Sequence, residues 1–122
     1  MKVFTTDKIR NVVVLGHSGA GKTSLVSAMN GIATASKQRM TEPAATTQML
    51  VQPILWDDHK INILDVPGAF DFVGEIEEAV GVADAAIIVI SGKNGVENGT
   101  RKAWAMCEKY HLPRIVYVSD MD

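Results

Sequence analysis

Asn11-Val12-Val13-Val14-Leu15-Gly16-His17-Ser18-Gly19-Ala20-Gly21-Lys22-Thr23-Ser24-Leu25 is the stretch on which the fold turns. NVVVL is a short continuous apolar run that ends on glycine, the pattern of a strand buried on both faces. From Thr23 to Met29 the pattern is helical, with Leu25, Met29 and Ile32 on one apolar stripe. Between the two, GHSGAGKT fits GxxxxGK[ST] in the context that gives the motif a mechanism: strand, glycine-rich loop, lysine, hydroxyl residue, helix. Glycines let backbone N–H groups turn inward around an anion, and the helix N-terminus adds partial positive charge. His17, Ser18, Gly19, Ala20, Gly21, Lys22, Thr23 and Ser24 are thus expected to cradle phosphates. Lys22 would reach the β- and γ-phosphates, and the Thr23 hydroxyl would ligate Mg²⁺. The structural alternative, a glycine-rich turn that only caps a helix, is disfavoured by the complete order of elements. His17 is expected to face solvent or lie on the loop rather than act as a base, since no second metal ligand is near it in sequence.

Outward from that loop, Gly31 to Thr47 has no period and carries Pro43, which reads as a loop. Met49 to Trp56 and Ile61 to Asp65 read as strands joined by the turn Asp57-Asp58-His59-Lys60. Phe72, Ile76, Ala79 and Val80 recur at helical spacing, with Glu75, Glu77 and Glu78 on the solvated side. Ala85 to Ser91 is a second fully apolar strand. Ala103, Met106, Cys107 and Tyr110 mark the inner face of a further helix, and Arg114 to Ser119 is the last strand. After the early hairpin, strands alternate with helices, which predicts an α/β fold: an open, mainly parallel sheet with helices on both faces. Ligands of such sheets bind at the carboxyl ends of the strands.

The composition agrees with one soluble domain. The chain has 122 residues, 47% hydrophobic and 21% charged, with a formal charge of −2, which disfavours a purely electrostatic nucleic-acid binder. Lys93, Arg101 and Lys102 are too few to claim an RNA surface. One cysteine, Cys107, excludes an intramolecular disulfide, suits a reducing cytoplasm and fits an inert core position. The N-terminus has no apolar signal segment, and the longest apolar run, Ala85 to Ile90, is far too short to span a bilayer, so no membrane partner is expected.

Asp65-Val66-Pro67-Gly68 ends the second strand of the hairpin. A carboxylate there can hold Mg²⁺ through water, and the Gly68 N–H can meet a γ-phosphate because no Cβ obstructs it. Asp-x-Pro-Gly is also a good turn, so its place after the phosphate loop gives it weight.

GHSGAGKT, HKINILDVPGAFDFVGEIEEAV and DAAIIVISGKNGVENGTRKAW followed by LPRIVYVSDMD together resemble the G domain of translational GTPases, above all elongation factor G and the ribosomal-protection proteins. The resemblance covers nearly the whole chain. It implies a P-loop G-domain fold, GTP or GDP with Mg²⁺ as ligands, and a ribosomal partner for the full-length protein. Lys22 and Thr23 match the phosphate and magnesium residues, and Asp65 and Gly68 match the second switch. Thr46, in Glu42-Pro43-Ala44-Ala45-Thr46, falls on the magnesium-binding threonine of the first switch; Thr41 or Thr47 could serve instead, because the family's Arg-Gly-Ile is absent.

Other departures carry consequences. The family's water-orienting histidine is replaced by Ala69, so intrinsic hydrolysis should be slow. Gly19 stands where an aspartate is common. The guanine-reading Asn-Lys-x-Asp is Ser119-Asp120-Met121-Asp122: Asp122 can still accept hydrogen bonds from guanine N1–H and N2–H₂, while a shorter serine replaces the bracing asparagine and an aspartate the stacking lysine. Base discrimination should therefore be weakened. Against the G-domain plan the chain also reads as a single domain, residues 1–122, short of its last strand and helices, with Arg114 to Ser119 as an uncovered edge that invites a homodimer. Two other classes stay open: a pseudo-GTPase interaction module, and a P-loop ATPase of another lineage.

Overall fold

A computed structural model describes residues 4–17, 19–34, 50–66 and 73–121. In these residues five strands form one sheet: β1 (Ile9–Gly16), β2 (Leu50–Trp56), β3 (His59–Asp65), β4 (Ala85–Ser91) and β5 (Arg114–Ser119). Their order across the sheet is β2-β3-β1-β4-β5, with β2 antiparallel to β3 and every other pair parallel. Three helices connect or flank them: α1 (Lys22–Thr34), α2 (Val73–Val82) and α3 (Asn98–Lys109).

The apolar run of β1 has its reason in this order. β1 lies in the middle, so both faces are covered: Val13 and Leu15 pack towards α2 and α3, Val12 and Val14 towards α1. In β4, Ala86 and Ile88 face α2 and α3, while Ile87 and Val89 face α1. Pro53 is tolerated because β2 lies at an edge of the described sheet.

The hairpin is tighter than its sequence suggests. β3 begins at His59, and Trp56 pairs with His59 across a turn of only Asp57 and Asp58, both left-handed at φ 48° and 61°. Two consecutive left-handed residues make the turn whose twist matches that of the strands, and aspartate tolerates the conformation.

Two helices differ in detail from the periodicity. On α1 Lys22, Val26 and Asn30 are buried; Leu25 and Met29 pack beside them, but Ile32 is 66% exposed. On α3, Gly99, Thr100, Ala103 and Cys107 are buried. Tyr110 caps the end of α3, exposed, and donates its hydroxyl to Glu77 (2.7 Å), which also takes the Lys109 ammonium (2.7 Å). Glu77 therefore ties α2 to α3 rather than lying on a free face. β5 ends the described sheet on the other side, with Ile115, Val116, Tyr117 and Val118 all exposed. No helix among the described residues is long and apolar enough to cross a membrane.

Candidate functional site

The loop after β1 leads directly into α1. Gly16 pairs with Val89 of β4 so closely that a Cβ would lie 2.5 Å from the Val89 carbonyl oxygen. Gly19 and Gly21 take φ of 83° and 97°, which side chains rarely adopt. These three glycines thus let the chain leave the sheet, reverse and enter the helix within a few residues. The Ala20 N–H closes the turn on the His17 carbonyl (3.1 Å).

Lys22 is buried, and its Nζ donates to the Gly16 and His17 carbonyls, both at 3.2 Å. Burial pushes its pKa down, and the negative charge of Asp65 opposes that shift. Asp65 is itself buried at the end of β3, where burial raises its pKa against the opposing effects of Lys22 and Thr23. Parallel pairing of β1 with β3 sets Asp65 opposite Val14, just below the loop. The Thr23 hydroxyl, exposed at the start of α1, stands 3.5 Å from Asp65 Oδ2, longer than an ordinary O–H···O bond. A buried ammonium, the N–H groups of a helix start and two facing oxygens thus meet at one end of the sheet. Such a set has the chemistry to hold a phosphorylated anion, with oxygens of the kind a hard cation prefers. Among the described residues, no group of three or more His, Cys, Asp or Glu side chains is placed to hold a metal ion.

The end of β5 also reaches the loop. The Ser119 hydroxyl donates to the Ala20 carbonyl at 2.6 Å, so the shorter side chain does brace the phosphate loop. Asp120 takes a left-handed φ of 52° and turns its carboxylate back onto the Ser91 hydroxyl (3.0 Å). Buried Ser91 accepts in turn from the Lys93 and Asn94 N–H groups, and Gly92 N–H reaches the Ser119 carbonyl (2.7 Å). Sequence patterns assign no role to Ser91, Gly92, Glu97 or Gly99, although their Gly- and Asn-rich segment follows a strand end, the usual place for a ligand loop.

The His17 side chain is half-buried and turns onto the start of α3. Its Nδ1 accepts the Gly99 N–H (3.0 Å) and its Nε2 lies 3.1 Å from Glu97 Oε2. Ser24 is exposed in the first turn of α1. Ser18, Thr46 with its alternatives Thr41 and Thr47, Gly68, Ala69 and Asp122 lie outside the described residues.

The strand order, the loop between β1 and α1 and the buried lysine define a P-loop nucleotide-binding α/β fold. Residues 7–122 match the family described as elongation factor Tu GTP binding domain. The chain belongs to that family. It is 34% identical to elongation factor G of Salinibacter ruber (strain DSM 13855 / M31), an alignment that takes in 98% of this chain and 19% of that protein. A crystal structure from Thermus thermophilus superposes with a TM-score of 0.83 at 37% identity, over 94% of this chain and 20% of the other. Translation elongation factor SelB from Methanococcus maripaludis, solved with the GTP analogue GppNHp, shares the fold at a TM-score of 0.76 and 23% identity, over 89% of this chain and 21% of that one. The chain thus spans about a fifth of the length of these relatives.

Proposed function

We propose that residues 1–122 form a single GTP- and GDP-binding domain of an elongation factor G-like translational GTPase, working in the cytoplasm with the ribosome as partner of the whole protein. The observation that carries this reading is Lys22: a buried ammonium resting on the Gly16 and His17 carbonyls at the start of α1, with Thr23 and Asp65 beside it. On phosphate arrival, Lys22 exchanges two neutral carbonyl partners for anionic oxygens, a stronger bond. The oxygens of Thr23 and Asp65 are the donor type Mg²⁺ prefers, and with Thr46 they are the residues that would hold it. Bound there, Mg²⁺ would supply charge neutralisation to the β- and γ-phosphate oxygens.

Gly68 would meet the γ-phosphate with its N–H, and Asp122 would read the guanine edge. Ala69 offers no group to orient water, so hydrolysis by the domain alone is slow and depends on the partner. Asp120, engaged with Ser91, leaves the base without a lysine stem stacked over it, while Ser119 keeps the phosphate loop braced. Exposed β5 also supports a second reading for assembly, edge-to-edge pairing of two copies, which light scattering after size exclusion tests directly.

Calorimetric titration with GDP, GTP and ATP in the presence of Mg²⁺ tests the main reading. Both guanine nucleotides are expected to bind more tightly than ATP. Lys22→Ala should weaken GDP about 10- to 100-fold, the worth of a charge-assisted hydrogen bond. Preference for ATP would favour an ATPase of another lineage, and absence of binding a pseudo-GTPase module.

A further inference from the structure

His17 belongs to two structures at once. Its backbone is part of the phosphate loop, where its carbonyl accepts both the Ala20 N–H and the Lys22 ammonium. Its side chain belongs to the start of α3. The Gly99 N–H is a donor, so Nδ1 carries the lone pair and the ring hydrogen sits on Nε2, donated to Glu97. Glu97 is the N-cap of α3: its carboxylate accepts the Thr100 N–H, and Thr100 Oγ1 accepts the Glu97 N–H in return (3.3 Å). The imidazole thus satisfies one free donor of the first turn of α3 and bonds to the residue that caps that turn.

The approach is close enough to demand glycine at the contact. A Cβ on Gly99 would lie 2.7 Å from His17 Cα and 2.8 Å from its Nδ1. Nothing in the strand order requires this contact: His17 and Gly99 meet because loop and helix both start from the carboxyl ends of neighbouring strands β1 and β4.

We propose that His17 is a positioning residue that clamps the phosphate loop to the N-terminus of α3, so that nucleotide held by the loop is sensed along α3. The proposal rests on the phosphate-binding reading above and deepens it. The clamp sets the Lys22-binding carbonyl of His17 from outside the loop, and it gives α3 a mechanical link to the nucleotide that passes through neither switch. α3 carries its own reporter, Trp104, with the Arg114 guanidinium 4.6 Å from its ring centre.

The test uses the full chain with Trp56→Phe, which leaves Trp104 as the sole tryptophan. GDP with Mg²⁺ is added while Trp104 emission, GDP affinity and GDP dissociation are followed. GDP is expected to shift Trp104 emission. His17→Ala should abolish that shift at saturating GDP and speed GDP dissociation about tenfold, the loss of a hydrogen-bonded contact. His17→Asn, which places an acceptor near the position of Nδ1, should restore part of the shift. Glu97→Gln keeps the size and removes the charge; it should speed dissociation less than His17→Ala does, and it carries the test if the alanine variant fails to fold. An unaltered Trp104 shift and GDP dissociation rate in the folded His17 and Glu97 variants would overturn the clamp alone. Failure of the unaltered chain to bind GDP would overturn the phosphate-binding reading, and the clamp with it.

Discussion

The two faces of the sheet are built from the same strands and finished differently. On the face covered by α2 and α3, Val13, Leu15, Leu64, Ala86 and Ile88 meet Ala79, Val80, Ala103 and Cys107 in a closed cluster. Alanines at facing positions let the helices sit close. On the other face a smaller cluster around Val14, Val26, Ile54, Ile63 and Val89 is covered by α1. α1 lies towards β2, β3 and β1, and beyond it an open apolar groove of about 330 Å³ runs over Ile87 to Ile115, rimmed by Ile32 and Trp56. Ile115 is 65% exposed and Trp56 55%. A continuous apolar run therefore gives a strand two apolar faces, but the helices decide how much of each is covered.

That contrast can be broken by mutation. The largest effect is expected at Ile88, fully buried on the closed face: Ile88→Ala should cost about 2–5 kcal/mol in urea denaturation, the transfer and cavity terms together. Ile115→Ala, one strand away on the open face, should change stability by less than about 0.5 kcal/mol. Equal costs would mean that the groove is covered in solution.

A second test contrasts the dry core with the polar end of the sheet. Asp65 has a raised pKa in the folded chain, so the fold holds that proton to higher pH than the unfolded chain does. Stability of the nucleotide-free protein should therefore fall as pH rises above the ordinary carboxylate value of 3.8, and Asp65→Asn should flatten that slope. Lys22 works in the opposite sense: with its pKa lowered from 10.5, the unfolded chain binds the proton more readily, so stability rises with pH on the alkaline side below that value. The slopes are measured by thermal unfolding across pH, with and without each substitution.

The third test sharpens the description of the closed face without changing it. Cys107 is fully buried, and burial pushes its thiol above the usual 9.0. Iodoacetamide should leave the native protein unlabelled and modify it in urea, since the thiolate is the nucleophile. Labelling of the native chain at the unfolded rate would show that α3 opens readily from the sheet.

Much of this is legible in the sequence. NVVVL, the glycine spacing and the apolar run of β4 specify the parallel centre of the sheet, because a strand covered on both sides must be apolar throughout. Lys22, Thr23 and Asp65 do meet at one end. Helix faces are harder to read: Ile32 and Tyr110 have the right spacing for burial, yet Ile32 sits on the rim of the groove and Tyr110 pairs with Glu77 on the surface. Periodicity finds the inner stripe of a helix but not where the neighbouring element stops covering it. The hairpin turn is two residues shorter than its polar stretch implies, because Asp57-Asp58 is polar in any register, and only the Trp56–His59 pair fixes it.

Sequence by itself determined the family, the phosphate loop and the alternation of strands and helices, since these depend on neighbours along the chain. Tertiary structure alone decided how loops far apart in sequence grip one another: Ser119 on Ala20, Asp120 on Ser91, His17 on Gly99 and Glu97. A hydrogen bond needs its donor and acceptor within about 3 Å. No local pattern announces a partner dozens of residues away; parallel strands bring their carboxyl ends together, and the chemistry of those ends follows from that meeting.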